Sequence, residues 1–515
     1  MTFSRRRFLK TAASSALCLG APALIRGTAF AASSGPALTS LPSIDATASR
    51  AFQLSAMAGK TEFRAGAPSA TLGFNRPYLG PVVRLRTGTE VTASVDNRTD
   101  VPISVHWHGL LVPGEADGGP HHPIAPGESW QPVLAVDQAP ATLWYHTHLH
   151  GETAPRVYAG LAGVLIIDDG KDRERGLPAT EGVDDLVLVL QDKRFDSADE
   201  AVYEPLEADL MHGFLGEAIV VNGQLASVAT VPAGIVRLRL VNAANARIFD
   251  LSFADGRPIA LIATDQGLLP KPVSLSRLRL APGERVELLV DFGEGGAATL
   301  MSAPHVETAG SMPMGGMMHD MMPVPETFTA PFTVLDFVVD TALPAAIKTL
   351  PTSFDAADAA IAPPATTRSF VLNDMGMMMG GGMMGGGGGM MGGMMGGMMG
   401  GGPGGGTPFG INGQAFDPSR IDLEVAVGTT ERWVVGGQMM GHPFHVHGVR
   451  FRVASEKGGP PRPENSGWKD TVLVDGELEL LVRFDHAASA TKPFMIHCHI
   501  LEHEDAGMMA QFAAA

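Results

Sequence analysis

Four short stretches of this chain pair histidines two residues apart: HWHG (His106, His108), WYHTHLHG (His146, His148, His150), HPFHVHG (His442, His445, His447) and HCHILEH (His497, His499, His503). Side chains of an extended strand alternate faces, so each i, i+2 pair sets two imidazoles on one side of a strand. One such pair is commonplace. Four of them, two near the start and two near the end, fit together only if the first and last parts of the chain meet and build one shared cluster.

The last stretch carries more. Cys498 stands between His497 and His499 and points to the opposite face from both. A thiolate with histidine and a weak axial methionine is the ligand set of a blue-copper electron-transfer centre, and His503 and Met508 follow within the next ten residues. One strand can therefore touch two metal centres. The chain has two cysteines, and the other, Cys18, falls in a targeting segment: SRRRFLK with Arg5 and Arg6, an apolar stretch from Leu9 to Ile25, and an Ala29-Phe30-Ala31 cleavage box. Residues 1–31 read as a twin-arginine signal peptide, which implies the twin-arginine export machinery as a partner and a periplasmic address. Cys498 is then the sole thiol of the mature chain. It cannot form an intramolecular disulfide, and metal ligation is its evident task.

Removing residues 1–31 takes away five cations and no acid, moving the formal charge from −17 to −22. An acidic surface argues against nucleic acid. No other segment is long and apolar enough to span a membrane, and we expect a monomer.

Strand-like runs recur throughout, among them VVRLR (82–86), VTASV (91–95), VRLRLV (236–241), RVELLVDF (285–292) and ELLVRF (479–484), punctuated by Gly and Pro. The chain reads as all-β. VNGQ (221–224) is echoed by INGQ (411–414), and APGESW (125–130) by APGERV (281–286), which suggests three related β-sandwich units. Boundaries are placed near the polar stretches 171–176 and 341–350, giving domains 40–175, 176–345 and 346–515. Two segments break the pattern. Residues 312–322 hold six methionines, and 375–406 hold twelve with little but glycine, together 18 of the 27 in the chain. Such glycine content denies a stable helix or strand and fits a flexible linker, but thioethers are soft ligands that select Cu(I), so we read 375–406 as a copper-capturing insert.

With order and spacing intact, the four histidine stretches resemble those of the multicopper oxidases. HWHGLLVPGEADGGP, INGQAFD, GWKDTV and HCHILEHEDAGMM, with the methionine-rich insert, are most similar to the periplasmic cuprous oxidases of bacterial copper efflux. The resemblance covers nearly the whole mature chain. It implies three cupredoxin-like Greek-key β-sandwich domains, a Met/Gly-rich insert in the third, and four copper ions. Position by position it implies His442, Cys498, His503 and axial Met508 at type 1 copper, and His106 with His445 at type 2. His108, His146 and His499 fall to one type 3 ion, and His148, His447 and His497 to the other. It also implies that Glu504 and Asp117 handle the protons consumed when dioxygen becomes water. His150 is left over as a supporting or structural residue.

Resemblance further implies a Cu(I) substrate site of methionines and aspartates beside the type 1 copper. Met440 occupies the matching place before His442, with Asp374 and Met375 or Met377 on the insert side. Gln438 stands where those oxidases carry an aspartate. The expected activity is oxidation of Cu(I) to Cu(II) with dioxygen as acceptor, and His442 is the expected electron gate. The alternatives are a laccase oxidising phenols or another small reductant, an oxidase of other metal ions, and a copper-sequestering or structural protein on a degenerate oxidase fold.

Overall fold

Alternation of apolar and polar residues at a period of two is what builds these strands. Thr89–Asn97 (TEVTASVDN) shows it plainly, burying Val91, Ala93 and Val95 and leaving the residues between them outside the core. The computed structural model describes residues 35–305, 330–356, 361–373, 409–437 and 440–515. The insert 375–406, the stretch 312–322, and Asp374, Met375, Met377 and Gln438 lie outside the described residues. Residues from Ser34 onward group as one compact unit.

Six sheets make up the described chain, and they pair along the sequence. In the first pair, a four-stranded sheet that ends on β1 (Ala141–His146) faces a five-stranded sheet around Thr89–Asn97. In the second, an eight-stranded sheet centred on Ile235–Asn242 faces a five-stranded one that includes Phe249–Phe253. In the third, a five-stranded sheet around Thr430–Gly437 faces another that runs Leu423–Val425, Met509–Ala514, β4 (Phe494–Cys498), β2 (His442–Val446) and β3 (Thr471–Val474). Apolar side chains fill the space between the sheets of each pair, with Leu143 and Trp107 in the first, Leu238 and Phe337 in the second, and Trp433 and Phe444 in the third. The architecture is a row of cupredoxin-like sandwiches, all-β as the sequence predicts.

Charge is buried where the first two sandwiches meet. The alternating VRLRLV run turns its leucines into the second core and its arginines not to water but to β1. Arg239 reaches Thr142 Oγ1 at 3.1 Å and Glu287 at 2.9 Å, and Arg237 takes the other oxygen of Glu287. Burial alone would raise the Glu287 carboxyl, but the two guanidiniums hold it down to about 2.

Helices are few and short. Four position functional groups: α1 (Gly114–Asp117), α2 (Thr153–Ala159), α3 (Glu207–His212) and α4 (Leu501–Asp505). No helix among the described residues is long and apolar enough to cross a membrane.

Candidate metal centre

Strand register divides the histidines of the third sandwich between two faces. β2 and β4 run antiparallel with Phe444 opposite Cys498 and His445 opposite His497. His442, Phe444 and Cys498 therefore share one face, and His445, His447, His497 and His499 the other.

On the first face, Cys498 Sγ lies 3.5 Å from His442 Nδ1 and 3.7 Å from His503 Nδ1, all three groups with no exposed surface. The Ile500 amide also points at the sulfur, at 3.4 Å. The fully buried Met508 returns to the same spot, its carbonyl accepting the Cys498 amide at 3.1 Å and its amide bonding the His503 carbonyl at 2.9 Å. His503 turns its other nitrogen, Nε2, to the Met211 carbonyl of α3 at 3.0 Å, and Phe409 stacks on its ring.

The second face meets a matching device from the first sandwich, where His106 and His146 pair through reciprocal backbone hydrogen bonds of 2.8 and 3.1 Å. Ring nitrogens then converge in pairs: His106 Nε2 and His445 Nε2 at 3.5 Å, His108 Nδ1 and His146 Nε2 at 3.4 Å, and His497 Nε2 at 3.2 Å from both His148 Nε2 and His447 Nε2. His108, His146 and His499 form one grouping of donor atoms within 4.8 Å of one another, and His148, His447 and His497 a second.

The protons on these rings can be assigned from their outer partners. His106 Nδ1 donates to the Asp117 carbonyl, His146 Nδ1 to the Thr147 carbonyl, His445 Nδ1 to the Asp470 carbonyl and His497 Nδ1 to the Cys498 carbonyl, all at 2.8 to 3.0 Å. His447 Nδ1 donates to Asp117 Oδ2 at 2.8 Å. His108 is reversed, with Nε2 against Asp470 Oδ1 at 3.2 Å and Nδ1 turned inward. Between His106 and His445, His108 and His146, and His447 and His497 the converging nitrogens are thus lone pair against lone pair, a repulsive arrangement unless a cation sits between them. Separations of 3.2–3.5 Å also match the edge of a tetrahedron with metal–nitrogen bonds of about 2.0 Å. His499 adds a buried ring on which neither nitrogen has a hydrogen-bond partner, a cost that a metal bond would remove. Burial pushes His108, His146, His447 and His499 well below the usual imidazole range, His148 to about 3 and His445 to about 4, so the rings are neutral and able to ligate at pH 7. The residues fit transition-metal ions.

Two carboxylates stand behind the rings. Glu504 lies between His148 Nδ1 at 3.4 Å and His497 Nδ1 at 3.2 Å. Asp117, at the end of α1, bonds His447 through Oδ2, while its buried Oδ1 makes no hydrogen bond. His150 turns outward onto Phe416 and is not among the converging rings. Met440 is buried in the core that also holds Cys498.

Sequence reasoning overlooked Asp470 and Thr471, which sit in the GWKDTV stretch. Their Lys469-Asp470 pair reads as an ordinary surface pair until the fold buries it. It also missed Met211, and Asp505, whose carboxylate accepts the Thr153 and Ala154 amides at 3.0 and 2.8 Å and so caps α2.

A fold of serial cupredoxin-like sandwiches, with a thiolate centre one residue from a histidine cluster, defines a class. Residues 56–172 and 393–515 match sequence profiles described as multicopper oxidase, and the chain belongs to the multicopper oxidase family. It is similar to the cell division protein FtsP of Dickeya dadantii, 36% identical over 100% of this chain and 99% of that one, and to FtsP of Yersinia pestis, 35% identical over 99% and 98%. Among solved structures it resembles the laccase-like multi-copper oxidase CueO from a lignin-degrading Ochrobactrum sp., with oxidase activity towards lignin model compounds and lignosulfonate. That match has 40% identity and a TM-score of 0.80, and covers 93% of this chain and all of that one. A metallo-oxidase from Campylobacter jejuni is 27% identical with a TM-score of 0.76, over 93% and 95% of the two chains. The solved structures are described as oxidases and the curated relatives as cell division proteins.

Proposed function

We propose that this chain is a copper-dependent oxidoreductase that couples oxidation of Cu(I) to reduction of dioxygen in the periplasm, reached through the twin-arginine pathway. Four Cu(I), one dioxygen and four protons become four Cu(II) and two waters. The observation that carries the reading is the set of opposed imidazole lone pairs, buried and one residue away from a buried thiolate. In this reading His442, Cys498, His503 and Met508 hold one resident copper. His106 and His445 hold a second, and the groupings of His108, His146 and His499 and of His148, His447 and His497 hold the remaining two. Copper there would accept electrons singly from a reductant and supply them to dioxygen.

The chain's own groups do the rest. Cys498 is bonded through the backbone to both His497 and His499, so the thiolate face and the cluster face are one residue apart. Glu504, a carboxylate held ionised by the imidazoles around it, stands ready to accept a proton within reach of two rings, and Asp117 keeps Oδ1 available for another. Met440, with Asp374, Met375 and Met377, is the candidate receiving site for substrate Cu(I).

A second reading, oxidation of a small aromatic reductant, has its own support. The His503 edge bonds the half-buried Met211 backbone, and Leu206 and Leu210 beside it are 55% and 39% exposed. The name of the curated relatives favours a part in cell division, with or without catalysis. Dioxygen uptake by the copper-loaded protein, with Cu(I) and then a phenol as sole reductant, separates these readings. We expect Cu(I) to support uptake and deletion of 375–402 to diminish it. Uptake with the phenol alone would select the second reading. A colourless protein inert with both, whose Cys498→Ser variant still restores division to a deletion strain, would set the oxidase reading aside.

A further inference from the structure

Among the described residues the second sandwich contributes no ring to the cluster, yet it reaches the cluster's support. Asp470 precedes β3 and is fully buried. Its Oδ1 faces His108 Nε2 at 3.2 Å and its carbonyl accepts from His445 Nδ1 at 3.0 Å, so one residue of the third sandwich touches a histidine from each end of the chain. Arg285 of the second sandwich grips both oxygens of that carboxylate at 2.6 and 2.5 Å, and Gln266 bonds Oδ2 at 2.6 Å. Arg285 is fixed in turn, because its amide bonds Asp265 Oδ1 at 2.8 Å and its guanidinium bonds the Asp265 and Gly283 carbonyls. Asp265 also takes Lys469 at 3.1 Å. The approach is so close that a Cβ on Gly109, which follows His108, would stand 2.4 Å from the guanidinium and 2.7 Å from Asp470.

We propose that Asp470, held by Arg285 and Gln266, is the positioning residue that turns His108 around. A carboxylate only accepts, and the Thr471 hydroxyl, 3.0 Å from the same nitrogen, spends its own proton on Asp470 Oδ1 at 2.8 Å and so accepts as well; the His108 proton is thereby fixed on Nε2 and the Nδ1 lone pair left for the cluster. Among the rings assigned above, His108 alone presents Nδ1 to the cluster, and it is the one that meets the carboxylate of Asp470, the group braced from another sandwich. The bidentate fork removes the freedom of Asp470 to rotate away, which a lysine at 285 would not do. The middle sandwich, bearing no ligand of its own, thereby sets the orientation of one.

The inference rests on the reading of His108 and His445 as copper ligands, and the test separates the two. Asp470→Asn, Arg285→Gln and Arg285→Lys are compared with wild type in the full copper-loaded chain, by copper content, blue absorbance and electron paramagnetic resonance. An amide at 470 turns an N–H against Arg285 or His108. We expect Asp470→Asn and Arg285→Gln to keep the blue centre, which contains none of these residues, while losing at least one copper equivalent and changing the non-blue Cu(II) signal, with Arg285→Lys intermediate. Wild-type copper content and spectra in both would overturn the proposal. So would an equal change in Arg247→Gln, which breaks a similarly buried pair with Asp192 far from His108 in sequence. Should the variants not fold, or wild type bind no copper, ¹⁵N-histidine spectra of copper-free wild type decide: His108 protonated on Nε2 supports the proposal and on Nδ1 overturns it.

Discussion

Lys193 shows what a single residue can cost. Its ammonium is fully buried against the ring of Tyr158, 3.7 Å from the centroid, and bonds the Tyr158 carbonyl, with no carboxylate in ion-pair contact among the described residues. Desolvation lowers it from 10.5 to about 7. Between those values the unfolded chain binds a proton that the folded chain releases, so this group makes stability rise with pH from about 7 toward 10. Lys193→Met is expected to be the more stable protein at pH 7 and to lose that advantage by up to about 1.4 kcal/mol per pH unit on the way to pH 9. Parallel denaturant curves of the two proteins at both pH values check it, and an advantage that does not shrink would contradict it. At this scale the sequence was legible where chemistry repeats. His-X-His spacing and a lone cysteine named the converging rings, whereas Lys193, Arg285 and Asp470 look like any surface charges until the fold buries them.

Among the elements, α4 ties all three sandwiches together. Glu502 reaches the second sandwich through Tyr203, Asn245 and the Phe214 amide, His503 faces the thiolate, Glu504 backs two rings, and Asp505 caps α2 of the first sandwich. Capping by a residue 352 positions away holds the segment after His148 against the strand that carries His497. Asp505→Ala is expected to lower the stability of the copper-free protein by about 1 kcal/mol, and Asp505→Asn by less because its oxygen still accepts one amide. Thermal unfolding of both variants tests this, and an alanine variant as stable as wild type would remove the cap from the account. Strand runs were readable from alternation, because core and surface differ there. The partners of α4 were not, since five residues carry no period and every contact it makes comes from distant sequence.

For the whole molecule, the reading predicts that copper binding and folding are one equilibrium. Rings whose lone pairs oppose one another are strained without a cation, so chelation is expected to lower the melting temperature, and added copper to restore it with about 1.4 kcal/mol gained for each tenfold excess over its dissociation constant. Differential scanning of loaded and chelated protein measures this, and coincident curves would refute it. That the ends of the chain meet was legible from four histidine pairs. That a ligand-free middle sandwich braces their meeting was not, because its contribution is an arginine fork with no motif.

Except at the thiolate centre, every grouping of converging nitrogens draws on both the first and the last sandwich. A half-made copy therefore has no pocket in which a redox-active ion could lodge, and the last residues synthesised complete every one. Filling the centre becomes a certificate of completion: an ion held there reports that both ends of the polypeptide have been built, folded and brought together.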